Sequence, residues 1–459
     1  MTVNRYFFRA EGEWIMAKKK KKKGLHIGGY TITPLGLGIL AGLIVVIAAV
    51  AVLAATGRLG GGDSVRRVVI NVTEAPTEDP NPTATPVPAT PTPVPTPSPT
   101  PEPREATVRV LGEITMETDL LKSAYDRQTS TIDFDPMFSL IRDVTANADY
   151  TIADVEGVMT TIAFSGEQNR MLTPPALLRT LGDMGVDMLM LGNDHALDGG
   201  VNGLKNEIEL VTNAGFDYVG AAASIEEKVT PKLVRINGFN VGFVSYVEAL
   251  NIDPASISAG DLAYSVNIVS RSNADADVKA LRQAGADLII AIVNWGELYQ
   301  TSPTESQDTI ATYLASTCGV DMIIGYNPAT VQAVKWIENT PAEGIPEKTL
   351  VVNAPGNFIS AQRDNGMNCG YIFQFDLSDE NGQVVISNPT YIPTYVICYE
   401  DESGQNQYRT VAVGQWTDDT AGNLPDGMTY GDLQYMGELW SQMQKVMNEG
   451  QNIAEIARE

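Results

Sequence analysis

The stretch from Leu181 to Ala221 reads LGDMGVDMLMLGNDHALDGGVNGLKNEIELVTNAGFDYVGA. A short apolar run, Asp187 to Leu191, gives way to the polar turn Gly192-Asn193-Asp194-His195. A helix-length amphipathic segment from Gly200 to Ala214 follows, and then a second short run, Phe216 to Val219. A strand, a crossover helix and another strand in this order argue for parallel pairing in an α/β sheet. The alternation continues on both sides. Further strands are expected at Ala106 to Leu111, Tyr150 to Val155, Leu233 to Ile236, Val241 to Val247, Leu288 to Val293, Met322 to Ile324 and Thr349 to Val352. Further helices are expected at Met137 to Asn147, Pro175 to Met184, Ala274 to Ala284 and Thr304 to Cys318. Such alternation predicts a layered α/β domain over residues 105–400. Gly370 to Tyr399 reads as two or three consecutive strands, so one sheet gains antiparallel members. Residues 401–459 form a C-terminal extension with a final helix from Tyr430 to Ala457.

In open α/β sheets the working crevice lies beyond the carboxyl ends of the strands. Standing there are Glu113, Glu156, the Asn193 and His195 pair, Asn294-Trp295-Gly296-Glu297, Tyr326-Asn327 and Asn357. Carboxylate and amide oxygens with one imidazole make a donor set for a hard metal. Taken singly, an Asn or Asp after a strand also caps the next helix or closes an Asx turn, and Trp295 and Tyr326 also read as packing groups. Recurrence at several strand ends carries the case for a site. Its metal ligands would be Glu113, Glu156, Asn193, Asn294 and Asn327, with His195 as the catalytic group and Trp295, Glu297, Tyr326 and Asn357 against substrate. Mg, Mn or Ca would suit it, and so would no metal at all.

The N-terminal quarter is different in kind. The chain has 459 residues and a formal charge of −25, yet six lysines stand together at Lys18 to Lys23. Leu35 to Gly57 carries no charge; at about 1.5 Å per residue such a run spans roughly 30 Å, the thickness of a bilayer core. Lysines before the span place residues 1–34 in the cytoplasm and the bulk of the chain outside. Met16 reads as an alternative start. Residues 58–104 form a linker whose stretch from Thr73 to Arg104 holds 12 of the 26 prolines, which predicts an extended stalk. Beyond residue 104 there are 19 basic and 49 acidic residues, a formal charge near −30. That acidity excludes non-specific nucleic-acid binding, which draws on Lys and Arg. Of the two histidines only His195 lies in this outer part. Three cysteines, Cys318, Cys369 and Cys398, leave pairing of Cys369 with Cys398 or three free thiols both open.

The succession GEITMETDLL, YTIADVEGVMT, the Leu181 to Ala221 stretch, IIAIVNWGELYQTSPTESQ, GVDMIIGYNPATVQ and VVNAPGNFIS resembles the bacterial capsule-synthesis family, also known as the CapA or poly-γ-glutamate biosynthesis family. The resemblance runs from about Val108 to Ser360. It implies a metallophosphoesterase-like layered α/β sandwich and membrane-anchored members that make or export poly-γ-glutamate capsule. Glu156, Asn193 and His195 keep the polar positions of the NLE and NNH motifs. Trp295, Gly296, Tyr299, Pro303 and Gln307 keep the frame of the next motif, and Gly356, Asn357 and Phe358 that of GNF. Glu113 replaces the Asp of GD, Asn294 the His of HWG, and Asp194 the second Asn of NNH. Asn327 and Ala329 stand where the two histidines of GxHPH belong. These departures point to a degenerate metal site, because neutral Asn oxygens bind transition metals far more weakly than imidazoles. The leading expectation is thus an outward-facing, single-pass capsule-assembly protein with membrane lipid, an anionic polymer and a membrane synthase as partners. An active metal-dependent hydrolase or transferase and a non-catalytic scaffold are the alternatives.

Overall fold

A computed structural model describes residues 104–340, 342–364, 366–380, 383–416 and 423–450, with short strand segments at 25–27, 30–32 and 454–455. Contacts divide the chain into residues 15–100 and the remainder. In the first unit the described residues are an antiparallel strand pair, Leu25–Ile27 with Tyr30–Ile32. The expected membrane span and the proline-rich stalk lie outside the described residues. Among the described residues no helix is long and apolar enough to cross a membrane.

Two sheets make the second unit. In the first are β1 (Glu105–Thr115), β2 (Tyr150–Glu156), β3 (Met188–Met190) and β4 (Asp217–Val219). In the second are β5 (Lys232–Ile236), β6 (Phe239–Val247), β7 (Leu288–Asn294), β8 (Met322–Tyr326), β9 (Val331–Glu338) and β10 (Lys348–Pro355). The chain then returns to the first sheet as β11 (Asn357–Ile359), β12 (Cys369–Glu380), β13 (Gln383–Glu400) and β14 (Asn406–Ala412). The first sheet has the order β4-β3-β2-β1-β12-β13-β14 with β11 also on β1, and the second β5-β6-β7-β8-β10-β9. β1 to β4 run parallel, as do β6, β7, β8 and β10; β12 to β14 add antiparallel members to the first sheet, and β5 and β9 are antiparallel edges of the second.

Side-chain alternation explains the layering. One face of each sheet, with Val108, Val110, Ile152, Met188 and Met190 against Val241, Phe243, Ile290, Ile292 and Ile324, closes a single inter-sheet core. On the outer face of the first sheet, Ala153, Val155, Leu189 and Leu191 meet Leu177 and Leu181 of α1 (Ala176–Asp183) and Leu204, Ile208 and Val211 of α2 (Gly200–Asn213). On the outer face of the second, Ile289, Ala291, Val293 and Ile323 meet α3 (Arg271–Gln283) and α4 (Glu305–Tyr313). The result is a four-layer mixed α/β sandwich. The last helix, α5 (Tyr430–Gly450), sends Leu433, Met436, Leu439, Met443 and Met447 into the inter-sheet core.

Several expected boundaries shift. The segment expected as one helix from Met137 to Asn147 is two four-residue helices, Asp135–Phe138 and Arg142–Thr145, because Phe138 and Ile141 both turn into the outer core. The helix expected to reach Cys318 ends its α-turns at Tyr313 and closes through a wider π turn into Gly319, φ +79°. The final helix stops at Gly450, and Ala454–Glu455 pairs with β13. Cys369 lies in the inter-sheet core while Cys398 packs on the opposite face of the same sheet, so the two do not pair; all three thiols are free.

Two positions expose what the architecture depends on. Gly192 and Gly220 touch where β3 and β4 end: a Cβ on Gly220, whose φ is +96°, would stand 2.6 Å from the Gly192 nitrogen. Gly220→Ala is expected to cost about 2–4 kcal/mol, from backbone strain and overpacking together, read from the urea midpoint. Glu207 of α2 is fully buried; one oxygen accepts the Met159 N–H at 2.8 Å and the other has no partner. Burial pushes its pKa up to about 8, against the lowering effect of that hydrogen bond. A carboxyl raised on folding contributes stability below its unfolded pKa and loses it as pH climbs through the folded value. Glu207→Gln should therefore melt above the parent at pH 8.5, with the gap narrowing toward pH 5.

Candidate functional site

Strand register assembles the site. β1 and β2 pair with Glu113 opposite Asp154 and Thr115 opposite Glu156, after an irregularity between Val110 and Glu113. Asp154 and Glu156 are two residues apart, so both face the second sheet. The irregularity places Gly112 against the backbone that follows β10, where a Cβ would lie 2.4 Å from the Gly356 carbonyl oxygen. Across the gap, the turn after β8 bends through Asn327 (φ +96°) and Ala329 (φ +57°). It aims two backbone N–H groups at one oxygen of Glu113, at 2.9 and 3.3 Å. The Tyr326 hydroxyl donates to the Leu111 carbonyl at 2.9 Å, fastening the same turn to β1.

Carboxylates then crowd around a single imidazole. Burial, followed by the neighbouring Asp154 charge, pushes the Glu113 pKa up to about 8 although two N–H groups favour its ionised form. Burial and then Glu156 raise Asp154 well above the usual range; burial and then Glu113 do the same for Glu156. Burial likewise raises Asp194. One oxygen of Glu113, both of Asp154 and the Asn357 side-chain oxygen are buried without a partner. His195 supplies the local positive charge. Burial opposes it, but the hydrogen bond to Asp198 and the charges of Asp194 and Glu156 prevail and hold its pKa near 9. Its Nδ1 lies 2.7 Å from Asp198, which also accepts from Asn251 and from the Met171 N–H.

Of these groups Glu156, Asp194, His195 and Asn357 line a cleft of about 710 Å3, with Asn294 beside them and, among the described residues, no Lys or Arg, while Glu113 and Asp154 lie buried behind it. At its mouth Tyr299 holds φ +68°, its N–H on the Pro328 carbonyl and its hydroxyl accepting from Gln168 at 3.2 Å. A bulky side chain in that conformation is strained by about 1–3 kcal/mol, a cost characteristic of functional sites.

The residues expected from sequence divide by what they do here. Glu113, Glu156, Asn294 and His195 gather at the strand ends, and Glu113, Glu156 and Asn294 sit in the last rungs of strands rather than in the loops beyond. Asn193 spends its carbonyl oxygen on the His195 N–H at 3.1 Å and its amide on the Val155 carbonyl at 3.0 Å, an Asx turn that shapes the loop. The Asn327 amide points away from the acids, donating to the Trp295 and Gly296 carbonyls at 2.9 and 3.1 Å. Trp295 is buried in the outer core, with its indole N–H on the Asn353 carbonyl. Tyr326 is buried between the sheets and does not line the cleft. Trp295, Glu297 and Asn357 do line it.

Sequence reasoning left out Asp154, Asp198, Glu248 and Asn251. Asp154 had a signal: it is the one charge inside an apolar strand, two residues before Glu156. Asp198, three residues after His195, had a weaker one, whereas Glu248 and Asn251 follow β6 with no pattern to mark them. Among the described residues no three His, Cys, Asp or Glu side chains stand closely enough to hold a metal ion as they are. The chemistry of the unmet oxygens suits protons or one hard cation; it does not suit a pair of transition metals, which need more imidazole than His195 alone.

Known proteins share parts of this chain. It is 23% identical over 211 residues to the capsule biosynthesis protein CapA of Bacillus anthracis, covering 46% of this chain and 48% of that protein. It is 22% identical over 253 residues to the PGA biosynthesis protein CapA of Bacillus subtilis strain 168, covering 53% and 62%. The chain thus spans about half to three fifths of the length of these relatives. Among solved structures, a hypothetical protein from Thermus thermophilus aligns with 62% of this chain and 99% of its own at 16% identity and TM-score 0.35. The calcineurin-like phosphoesterase YfkN from Bacillus subtilis aligns with 76% and 99% at 13% identity and TM-score 0.37. Scores of that size carry no weight for fold or chemistry. Residues 107–362, more than half of the chain, match the family described as bacterial capsule synthesis protein PGA_cap, and to that family the chain belongs.

Proposed function

We propose that this protein works at the outer face of the cell in assembling or exporting an anionic capsule polymer of the poly-γ-glutamate kind, and that its cleft is a degenerate relative of a two-metal phosphoesterase centre. Family membership and the names of the two Bacillus relatives support the capsule role. The uncharged run from Leu35 to Gly57, preceded by six lysines, supports a single-pass anchor with the main domain outside. Acids at the carboxyl ends of parallel strands in a layered α/β sandwich support the metallophosphoesterase-like ancestry.

The observation that carries the degenerate reading is the donor set. A two-metal centre clamps both the attacking and the leaving oxygen of a phosphoryl group. Here the sole imidazole is tied to Asp198, and Asn327 has turned its amide to the loop carbonyls. As they stand, Glu113, Asp154 and Glu156 are not gathered closely enough to hold a cation; only a closer approach of their side chains would let them take one hard cation of the Mg, Mn or Ca type, which would supply charge for gripping a carboxylate or phosphate oxygen. A hydrolytic reading draws on His195 instead, which faces the cleft and, with its raised pKa, carries a proton for a leaving group at neutral pH.

Full-length protein assayed on p-nitrophenyl phosphate and its diester with Mg, Mn or Ca should show no turnover above that of His195→Ala. Two metal ions per chain with His195-dependent turnover would establish the hydrolase instead. The same cations should raise the melting temperature more at pH 8 than at pH 5, because protons on the raised carboxyls compete for the oxygens. Protease added to intact cells should release the 105–459 domain; protection of that domain would sink the outward orientation.

A further inference from the structure

Away from the cleft, the edge of the second sheet carries a break. β5 pairs with β6 from Ile236 opposite Phe239 to Lys232 opposite Phe243. Farther along, the edge is taken up by the segment Asn267 to Val269: the Val247 N–H donates to the Asn267 carbonyl and the Val269 N–H to the Val247 carbonyl, both at 2.9 Å. Between those partners stands Ser245. The Glu248 N–H bonds the Asn294 carbonyl and the Asn240 carbonyl accepts from Asp287, each at 2.8 Å. Even-numbered residues of β6 therefore bond toward β7, and the odd-numbered ones, Ser245 among them, turn N–H and C=O to the β5 side.

β5 cannot extend to meet Ser245. The register would put Thr230 there, but its N–H is spent on the Glu227 carbonyl at 3.1 Å, at the end of the short helix Ile225–Val229, and Pro231 has no N–H. Ser245 is 4% exposed and its hydroxyl has no partner. Among the described residues no hydrogen bond reaches its N–H or C=O on this side, whereas buried backbone groups are almost always paired. A cavity of about 270 Å3 lies at the break, lined by Ser245 and Gly220 and by Thr230 and Asn267 on either side of the absent rung. Its charges are matched: Lys228 stands 3.6 Å from Asp277 and Lys232 2.7 Å from Asp217, while Glu227 accepts from the Tyr218 hydroxyl and the Ala223 N–H.

We propose that this break receives an extended α-peptide segment of a protein partner, which supplies the rung opposite Ser245 by strand addition. Two residues paired in this way exchange both N–H and C=O, so the incoming residue must carry the two groups on either side of one Cα. A γ-linked polymer holds them too far apart and does not fit. From Phe243 to Val247 the strand covers about 13 Å, room for two or three residues between Lys232 and Asn267. Matched charges favour an uncharged interior stretch over a free terminus. The break thus adds a peptide-binding site to a domain whose cleft is acidic, and it holds whatever polymer the cleft serves.

The test joins hydrogen exchange to calorimetry on purified full-length protein. In the free protein the Ser245 N–H should exchange faster than those of Phe243 and Val247, and saturation with N-acetyl-trialanine amide should slow it. Titration should show that this peptide binds, and that its analogue N-methylated at the central alanine and the equally capped γ-aminobutyrate trimer bind about tenfold more weakly or not at all. Ala280→Phe, which fills the cavity from α3, should weaken binding by about tenfold or more, while Ala276→Phe, exposed on the same helix and off the cavity, should change it less than about twofold. Val229→Trp, at another lining position, is the second blocking variant should the melting curve show the first unfolded. Slow exchange at Ser245 in the free protein, no binding of the capped peptide, equal binding of either analogue, or equal loss in the blocking and control variants overturns the proposal. Tighter binding of uncapped trialanine overturns the assignment to an interior segment.

Discussion

Everything at the centre of this domain depends on a carboxylate held between two sheets. Glu113 ends the run of apolar residues on β1, and its oxygen is met by two backbone N–H groups from the turn after β8. That turn reaches it only through left-handed backbone at Asn327 and Ala329. The contact couples the sheets where their apolar core gives way to polar residues. It also fixes how closely Asp154 and Glu156 must approach Glu113, since strand pairing leaves them no alternative. The crowding of negative charge follows from hydrogen-bond register and needs no further cause.

The buried acids answer that constraint through their protonation and through His195. On the floor, burial keeps the acids protonated or waiting for a hard cation, and His195 is recruited as a compensating charge by Asp198 and Asp194. The cost of a charge depends on its access to solvent, and these acids have little. The domain's overall charge near −30 is screened beyond about 10 Å at ordinary salt.

The layered α/β architecture was legible in the sequence, because short β-branched runs alternate with amphipathic segments and few other folds satisfy that pattern. Polar residues at strand ends were legible too, and Glu113, Glu156, His195 and Asn294 do gather. What escaped was the direction of side chains. Asn327 and Asn193 read as ligands because polar residues recur at several strand ends, yet each found backbone partners nearer by. Tyr326 read as a substrate contact, but strand alternation turned it inward to the Leu111 carbonyl. Asp154 was hidden by its apolar neighbours, although the spacing of two from Glu156 dictates a shared face. The Cys369 and Cys398 question was unanswerable without knowing which face of the sheet each side chain takes. Glu248 and Asn251 come from a loop whose placement depends on the second sheet as a whole.

The position of α5 has a consequence for the proposed route outward. The first sheet opens with β1 to β4, is interrupted by the whole second sheet, and resumes with β11 to β14 before α5 seals the inter-sheet core with Leu and Met side chains. No partial length of the chain emerging from a translocation pore would contain a closed core, since β1 lacks its neighbour β12 and the core lacks its last wall until roughly 330 residues have followed β1. Late closure keeps such a chain threadable for as long as threading is required, so on that route the fold would time its own completion to the far side of the membrane.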